Sequence, residues 1–498
     1  MEGLKNKCPG CKRISCNGCG IFQKLNTNKQ AKIQFPESFQ IEHGTGLGIS
    51  FDVGTTTVAG MLWDLEQGSL LGVETGANPQ AAFGADVISR IKAAVEQEDS
   101  LHRMQELLVK KLDEMALRMV RQLCTEDWPG AEDWFYKKNR SETVDGQEIR
   151  GEKGKACIRK VSVVGNTAMC EIFMGIKPVK LSGAPFTPDY RNRIFLEGKK
   201  LGFHFLQDAV FTVLPPIGGY VGADALAVYS YVNQAEQNRR ILAVDIGTNG
   251  EIILEYDGEK YACSAAAGPA LEGGAISCGM RAAKGAIDMV ALNGSFPVQD
   301  IVCRVIGGGP AVGICGSGLI DGVALLCKVG VIDRTGYMRS RQEAKNAGVS
   351  EKICRRIDER NEKRRFLLTD ERAPVYLEAE DVRQLQLSVS AIRSGMEILL
   401  GKVNRKASEL DRLYLAGAFG CYIEIESGIA IGLFPDIPRE LFFQAGNLAG
   451  TGAAMALLSE KTLERMEQES SKITHVELAE EDVFRELFLK HMSLRALP

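Results

Sequence analysis

The sequence predicts an α/β protein whose two homologous halves face each other across a cleft, preceded by a short cysteine-rich segment. Two observations predict this architecture. The first is an internal repeat, because three kinds of segment recur in the same order in the two halves of the chain. The second is a group of four cysteines between residues 8 and 19, which sets the N-terminus apart from the rest.

The composition is that of an ordinary globular protein. The chain has 498 residues, 45% hydrophobic and 25% charged, and its 60 basic and 64 acidic side chains leave a net charge of −4. This balance gives no footprint for nucleic acid. No stretch of about 18 apolar residues could span a membrane, and the first residues lack the apolar core of a secretory signal. We therefore expect a cytoplasmic protein without nucleic-acid or membrane partners.

The clearest repeated segments are two strand–turn–strand units, residues 47–62 and 241–254. Each begins with an apolar strand that ends in an aspartate, Asp52 or Asp245. Each continues with a Gly-Thr turn and a second apolar strand, which is the pattern of a β-hairpin. A single hairpin of this kind would carry little weight, whereas two in a repeat indicate a shared role.

Two further pairs of segments follow in the same order. Residues 161–169 and 413–420 each read as a strand, a glycine and the start of a helix. Residues 222–227 and 452–457 each read as a helix of small side chains. The ordered set predicts two homologous α/β halves with a cleft between them.

These landmarks divide the chain into three parts. Residues 1–45 form the cysteine-rich segment and a linker, residues 46–238 the first half, and residues 239–498 the second half, which ends in a strand and a helix. Amphipathic helices are expected over residues 101–123 and 381–400, where apolar side chains recur at helical spacing. We expect the apolar stripe of each helix to pack into the core.

The two turns, Asp-Val-Gly-Thr at residues 52–55 and Asp-Ile-Gly-Thr at residues 245–248, have the chemistry of a nucleotide phosphate site and are called the Asp-Gly-Thr turns below. Glycine lets the backbone approach the phosphate oxygens, and backbone N–H groups and threonine hydroxyls donate to them. Because a carboxylate repels phosphate, Asp52 and Asp245 would instead hold Mg²⁺ or its waters. The alternative is a pair of ordinary hairpin turns. The candidate cofactor-binding residues of the turns are Gly54, Thr55, Thr56, Thr57, Gly247, Thr248, Asn249 and Gly250.

The second pair of segments adds four candidates at the start of its helices. Gly165 and Asn166 follow the strand in the first half, and Gly417 and Gly420 follow it in the second. The small residues at Gly417 and Gly420 would let a flat adenine or ribose approach the backbone. Tight packing of the helix against the strand is the alternative interpretation.

Asp224 is the third candidate catalytic residue, beside Asp52 and Asp245. Aligning the two small-residue helices on their Gly-Ala sequences places Asp224 opposite Ala454. A position that packs as alanine in one half has thus acquired a carboxylate in the other. We expect this carboxylate to face the cleft, where it would either accept a hydrogen bond from a metal-bound water or act as a general base. A helix residue that faces solvent is the alternative.

The cysteine group, Cys8, Cys11, Cys16 and Cys19, has the spacing C-x2-C-x4-C-x2-C. Four thiolates within so short a segment can close a tetrahedral metal site. The spacing fits either a structural Zn²⁺ or a four-iron cluster, and taken alone favours zinc. Only five histidines occur, at positions that do not suit a histidine-based metal hydrolase.

The paired turns and the segment 415–420 resemble the ASKHA superfamily, which comprises acetate and sugar kinases, heat-shock chaperones and actin. Within it, the sequence is similar to one family, the ATP-dependent reductive activators of corrinoid proteins. The segments that carry this resemblance span most of the chain: residues 51–57, 78–91, 164–169, 184–190, 215–224, 245–251, 313–321, 381–400, 415–420 and 447–452.

The resemblance implies two actin-like, ribonuclease H-like lobes around an ATP cleft. It also implies an activity, in which one electron passes from an iron–sulfur centre to inactive Co(II) in a corrinoid protein and gives Co(I) for methyl transfer, driven by ATP. By position, MgATP would bind Asp52, Thr55, Thr56, Asp245, Thr248 and Asn249, with Gly417 near the nucleoside. The need for an electron source shifts the interpretation of the cysteines towards a 4Fe-4S cluster, with Zn²⁺ as the alternative.

The implied partners are a corrinoid protein of a methyltransferase system and an electron donor such as a ferredoxin or flavodoxin, and a homodimer is left open. Two other functions on the same fold compete. One is a small-molecule kinase, with a structural zinc site and Asp224 as the base for a substrate hydroxyl. The other is a regulator whose nucleotide state changes partner binding.

Overall fold

The computed structural model describes residues 34–123, 158–236, 240–295, 297–359, 363–369, 373–420 and 422–494. The cysteine-rich motif lies outside these residues. The strands are β1 Leu47–Val53, β2 Thr57–Asp64, β3 Ser69–Ala77, β4 Ile158–Gly165, β5 Ile194–Glu197, β6 Val210–Val213, β7 Ile241–Ile246, β8 Gly250–Tyr256, β9 Glu259–Ala265, β10 Ala286–Asn293, β11 Asp300–Val305, β12 Gly313–Ile314, β13 Ile357–Asp358, β14 Arg365–Leu367, β15 Tyr376–Glu378, β16 Arg412–Ala416, β17 Phe442–Gly446 and β18 Thr474–His475.

Helices alternate with these strands along most of the chain. The α-helices are α1 Val87–Glu96, α2 Ser100–Leu123, α3 Thr167–Phe173, α4 Gly198–Leu201, α5 Ala223–Ala235, α6 Gly316–Val329, α7 Arg341–Asn346, α8 Glu351–Arg355, α9 Ala379–Lys402, α10 Gly417–Gly420, α11 Ile425–Ala430, α12 Leu448–Leu458, α13 Glu460–Ser470 and α14 Phe484–His491. The two predicted amphipathic helices are α2 and α9, so the helical periodicity located both within two residues of their observed ends.

Two six-stranded sheets organise the fold. The first has the order β3-β2-β1-β4-β6-β5, and the second has the order β17-β16-β7-β8-β9-β18. In the first, β1 runs antiparallel to β2 and parallel to β4. In the second, β7 runs antiparallel to β8 and parallel to β16. Five consecutive strands of each sheet, β3-β2-β1-β4-β6 and β9-β8-β7-β16-β17, therefore share one pattern, an antiparallel meander followed by two parallel strands.

The central strands β1 and β7 are buried because their apolar, β-branched sequences pack on both faces. Ile49, Phe51, Leu242 and Val244 are fully buried. Two smaller sheets, β11-β10-β12 and β13-β14-β15, belong to the second half of the chain. The polar residues that follow β1 lie at the carboxyl end of that strand, next to the second half of the chain. Those that follow β7 lie next to the first half.

The helices α5 and α12 pack against each other between the two sheets. Gly452, the fifth residue of α12, lies against the backbone of Ala227, the fifth residue of α5: a Cβ at Gly452 would be 2.3 Å from the Ala227 carbonyl oxygen. The Ser162 hydroxyl also donates to the carbonyl of Ala453 at 2.7 Å. Small residues in both helices are thus explained by this close crossing.

This crossing corrects the alignment of Asp224 with Ala454. Gly222 caps the N-terminus of α5, and the residue that caps α12 is Asn447, not Gly452. Aligned on their caps and on the crossing, the two helices place Asp224 opposite Ala449. The Gly-Ala similarity matched the right helices in the wrong register, because the helix start is set by the cap rather than by the small residues.

We expect Gly452→Ala to destabilise the protein by about 2–3 kcal/mol, since the added methyl group would overlap a backbone carbonyl that belongs to another helix. The check is the midpoint of thermal unfolding. Gly401→Ala is the matched control, because Gly401 also lies in a helix but a Cβ there meets no atom within 4 Å. The control should be neutral or slightly stabilising, as alanine is the better helix former. Equal midpoints for the two variants would contradict the tight crossing.

Candidate functional site

A cavity of about 870 Å³ lies between the two sheets, where the two Asp-Gly-Thr turns meet. Its size is that of a pocket for a ligand as large as a nucleotide. The carboxyl ends of β1 and β7 form its floor, and the starts of α5, α6 and α12 reach it from the sides. The cavity therefore brings together residues from both halves of the chain.

The first turn begins where β1 ends. Asp52 is half-buried near the end of the strand, and Gly54, Thr55 and Thr56 make the turn into β2. A Cβ at Gly54 would lie 2.6 Å from the carbonyl oxygen of Thr57, so only glycine fits this turn without a backbone shift. The Asp52 carboxylate accepts a hydrogen bond of 3.0 Å from the amide of Asn447, at the start of α12.

The second turn begins where β7 ends, at Asp245. The N–H of Gly247 donates to the carbonyl of Asn249 at 2.9 Å, which closes the turn. The Thr248 hydroxyl donates to the carboxylate of Glu272 at 2.6 Å. Gly417 has φ +86°, and a Cβ there would lie 2.4 Å from an oxygen of Asp245. Glycine at this position thus leaves room for the aspartate.

The two turns touch each other directly. The hydroxyls of Thr56 and Thr248 are 2.7 Å apart, within hydrogen-bond distance. The Arg281 guanidinium reaches the carbonyl of Thr56 from the second half, at 3.4 Å. The floor of the cavity is therefore a set of hydroxyl and backbone groups from both halves, and a movement of one half relative to the other would separate the two hydroxyls.

Six carboxylates line the cavity: Asp52, Asp224, Asp245, Glu251, Glu272 and Asp288, the last of which accepts from Arg304. Loss of solvation raises the pKa of Asp52 to about 6, and the hydrogen bond from Asn447 opposes this rise. Loss of solvation, together with repulsion by Asp52, Asp224 and Glu272, raises the pKa of Asp245 to about 8. The same two causes raise the pKa of Asp224 and of Glu251. Burial and mutual repulsion therefore disfavour the ionised form of these carboxylates, and a bound cation would favour it.

Comparison with known proteins identifies the fold and the family. The family model described as the C-terminal domain of RACo, the ASKHA domain, matches residues 239–497, and the RACo middle region matches residues 47–127 and 145–236. The chain belongs to the RACo family. Its fold is accordingly a mixed α/β fold of the ASKHA type.

Relatives of this RACo-family chain include a corrinoid activation enzyme, RamQ, of Eubacterium limosum, 34% identical over 89% of this chain and 69% of the relative. The [Co(II) methylated amine-specific corrinoid protein] reductase of Methanosarcina barkeri is 27% identical over 60% of this chain and 54% of its own length. A solved structure, the reductive activator for corrinoid, iron-sulfur protein, is 30% identical, covering 91% of this chain and 66% of that one, with a TM-score of 0.76.

Most of the site residues expected from the sequence line the cavity of this RACo-family chain. Asp224 is among them, so it faces the cleft rather than solvent, and its carboxylate accepts from the N–H of Ala225 at 2.8 Å. The expected residues that line the cavity are Asp52, Gly54, Thr55, Thr56, Thr57, Asn166, Asp224, Asp245, Gly247, Thr248, Asn249 and Gly417. Their roles in binding remain predictions.

Three expected glycines, Gly165, Gly250 and Gly420, are not among the residues that line the cavity. A Cβ at Gly165 would lie 2.6 Å from the carbonyl oxygen of Val53, and one at Gly250 would lie 2.8 Å from the side chain of Ile392. Both glycines therefore permit close packing of neighbouring elements. The four cysteines Cys8, Cys11, Cys16 and Cys19 lie outside the described residues.

Sequence reasoning missed several polar residues of the cavity, including Glu251, Glu272, Arg281 and Asn447. Glu251 directly follows the second turn, and its position gave a local signal. Asn447 was noted only as the first residue of the segment 447–452; in the structure it caps α12 by accepting from the N–H of Gly450 at 2.7 Å. Its contact with Asp52 joins residues 395 positions apart, which no local pattern reveals.

No helix among the described residues has the length and apolar character required to cross a membrane. Nor do any three His, Cys, Asp or Glu side chains in these ranges lie close enough together to hold a metal ion directly.

We expect the affinity for Mg–nucleotide to increase at least about tenfold between pH 6 and pH 8, because cation binding needs carboxylates that are still partly protonated at pH 6. The folding stability of the nucleotide-free protein should depend on pH in the opposite direction. A pKa raised by folding contributes stability at low pH that is lost as the pH rises through about 6 to 8.

The measurement is an equilibrium titration with a fluorescent ATP analogue and Mg²⁺ at constant ionic strength. Asp245→Asn is the control, since it retains the titration of the nucleotide itself but loses one of the carboxylates. Its pH dependence should be shallower. Tighter binding at pH 6 than at pH 8 would contradict the prediction.

Proposed function

We propose that this protein catalyses the ATP-dependent reductive activation of a corrinoid protein, by transferring one electron to inactive Co(II) to give Co(I) for methyl transfer. The observation that carries the proposal is the meeting of two Asp-Gly-Thr turns across one cavity, in a chain that is 34% identical to a corrinoid activation enzyme. The relatives named for Co(II) corrinoid protein reduction and for reductive activation support the same substrate class.

The proposal assigns the two halves as homologous lobes, residues 46–238 and 239–498. The shared strand pattern of the two sheets supports this assignment, as does the equivalent crossing of α5 and α12. ATP would bind between the lobes. Residues 1–45 would form the cysteine-rich segment and a linker.

The cavity residues fit a magnesium-bound triphosphate. The N–H groups and hydroxyls of the two turns can donate to phosphate oxygens, with Thr55 and Thr56 on one side and Thr248 and Asn249 on the other. Burial raises the pKa values of Asp52 and Asp245, and a bound cation would lower them again. Mg²⁺ keeps several of its waters, so these carboxylates would hold it through water. Gly417 leaves open backbone where the nucleoside would lie.

The direct contact of Thr56 with Thr248 gives ATP a mechanical role. A phosphate held between the two turns must replace this hydroxyl pair, so binding and hydrolysis would shift the lobes between two arrangements. A ligand shifts such an equilibrium only by as much as it prefers one arrangement. Hydrolysis would therefore release the arrangement that ATP stabilises, and this cycle would drive the electron transfer in its unfavourable direction.

The electron source is proposed to be the cysteine motif, Cys8, Cys11, Cys16 and Cys19. Four thiolates are the donor set of an iron–sulfur cluster or of structural zinc. A cluster held there would supply the electron for Co(II), and would be reloaded by a ferredoxin or flavodoxin. We propose the iron–sulfur form, because the activity requires a redox centre.

The test is anaerobic reduction of a Co(II) corrinoid protein, followed by absorbance, with chemically reduced ferredoxin as the donor. We expect Co(I) to form with MgATP and not with a non-hydrolysable analogue. Phosphorylation of a small molecule without cobalt reduction would instead support the kinase alternative. Stoichiometric zinc without iron, together with no cobalt reduction, would refute the proposal.

A further inference from the structure

The segment that follows β3 has so far no role in the site, although its sequence is one of those shared with the reductive activators. It begins with Asn78, whose side chain is 1% exposed. Asn78 caps a short 3₁₀ turn over Pro79–Phe83 by accepting from the N–H of Gln80 at 2.9 Å. It does not line the cavity, but it lies directly behind the first turn.

Asn78 holds the first turn by two hydrogen bonds. Its backbone N–H donates to the carbonyl of Thr56 at 2.9 Å. Its side-chain amide donates to the carbonyl of Gly54, also at 2.9 Å. One buried residue therefore holds the carbonyl groups on both sides of Thr55, within the turn that faces the cavity.

The direction of these carbonyls decides what the turn can bind. In a planar trans peptide the N–H points away from the carbonyl of the same unit. Fixing the carbonyls of Gly54 and Thr56 against Asn78 thus turns the N–H groups of Thr55 and Thr57 to the opposite side. Both threonines line the cavity. A turn held in this way offers donors to an anion and withdraws the carbonyl oxygens that would repel one.

Asn78 is itself held in place by buried neighbours. The Gln80 amide donates to the carbonyl of Met104 in α2 at 3.2 Å. Arg90, fully buried, donates to the carbonyl of Gly84 at 2.9 Å and contacts the sulfur of Met169, which also faces the Asn78 amide. The first turn is thereby connected to helices of the lobe behind it.

We propose that Asn78 is a positioning residue for phosphate recognition, which sets the orientation of the first turn without touching the nucleotide. The inference rests on the proposed binding of ATP at this turn. It follows that Asn78 contributes to the affinity for the phosphates and not to the affinity for the nucleoside.

The test compares binding of MgATP and of adenosine to wild type and to Asn78→Asp. Aspartate keeps the size of the side chain and the acceptor for the Gln80 N–H, but it sets an oxygen against the carbonyl of Gly54. We expect the Kd for MgATP to rise at least about tenfold, since a buried acceptor is left facing another acceptor, while the Kd for adenosine changes less than about threefold. Asn404→Asp, an exposed substitution of the same chemistry, is the control.

A second variant guards against misfolding. Asn78→Ser keeps a hydroxyl donor, on a side chain one atom shorter and without a carboxylate, so it should bind MgATP more tightly than Asn78→Asp, and circular dichroism should show wild-type secondary structure. Equal losses for MgATP and adenosine in both variants would show a merely structural role and overturn the inference. So would MgATP binding within about twofold of wild type in Asn78→Asp.

The outcome for the proposed function is read separately. Wild type that binds MgATP but reduces no Co(II) corrinoid protein would refute the proposed function and leave the role of Asn78 standing. Wild type that reduces cobalt with ATP, beside an unaffected Asn78→Asp, would refute only the role of Asn78. Absence of MgATP binding by wild type would refute both.

Discussion

Asp245→Asn should abolish ATP-dependent activity and at the same time raise the thermal stability of the nucleotide-free protein. The carboxylate lies at the end of β7 beside three other acidic groups, and their repulsion contributes to a pKa of about 8. Removing its charge relieves that repulsion in the empty cavity. It also removes a group that would hold Mg²⁺ against the phosphates, where a lost cation contact amounts to several kcal/mol. Activity should therefore fall about 100-fold or more.

The opposite signs of the two effects make this prediction specific. Activity is measured as ATP hydrolysis and as cobalt reduction, and stability as the midpoint of thermal unfolding at pH 8 without nucleotide. Asp208→Asn, at an exposed position away from the cavity, should leave both unchanged. A lower midpoint together with lost activity would mean that Asp245 serves the fold rather than the cation.

The parts of the fold that follow from local pattern were the ones the sequence could predict. The helix Ser100–Leu123 was predicted from apolar residues at helical spacing, and its stripe of Met104, Leu108 and Leu112 is fully buried. The two hairpins were predicted from apolar runs around a Gly-Thr turn. In these cases the physics that determines the element acts over a few residues, so the sequence displays it directly.

The parts that depend on contacts between distant segments were not predictable in the same way. Glu272 approaches the second turn because a loop after β9 folds back over it, and Asn447 reaches Asp52 across the two halves. Two glycines that look alike in the sequence also have different roles in the structure. Gly417 makes room for the Asp245 carboxylate, whereas Gly165 makes room for the Val53 backbone.

Cys16→Ser should abolish cobalt reduction while ATP hydrolysis stays within about twofold of wild type. The reason is the separation of the two tasks along the chain. The cavity residues that would bind ATP all belong to residues 46–498, and the cysteine motif lies before them. Removing one of four thiolates breaks the donor set of a cluster, and a chain without its redox centre can complete the ATP cycle without passing an electron. We expect the loss in reduction to exceed about 100-fold, equivalent to about 2.7 kcal/mol or more.

The measurement combines iron, sulfide and zinc analysis of anaerobically purified protein with the reduction assay. Cys327→Ser is the matched control, a partly buried free cysteine far along the chain, and should keep both metal content and activity. If zinc replaces iron in wild type, the motif is structural, and Cys16→Ser should then lower stability and ATP hydrolysis together. Loss of cobalt reduction without loss of ATP hydrolysis would instead assign electron transfer to the four thiolates and ATP binding to the two turns.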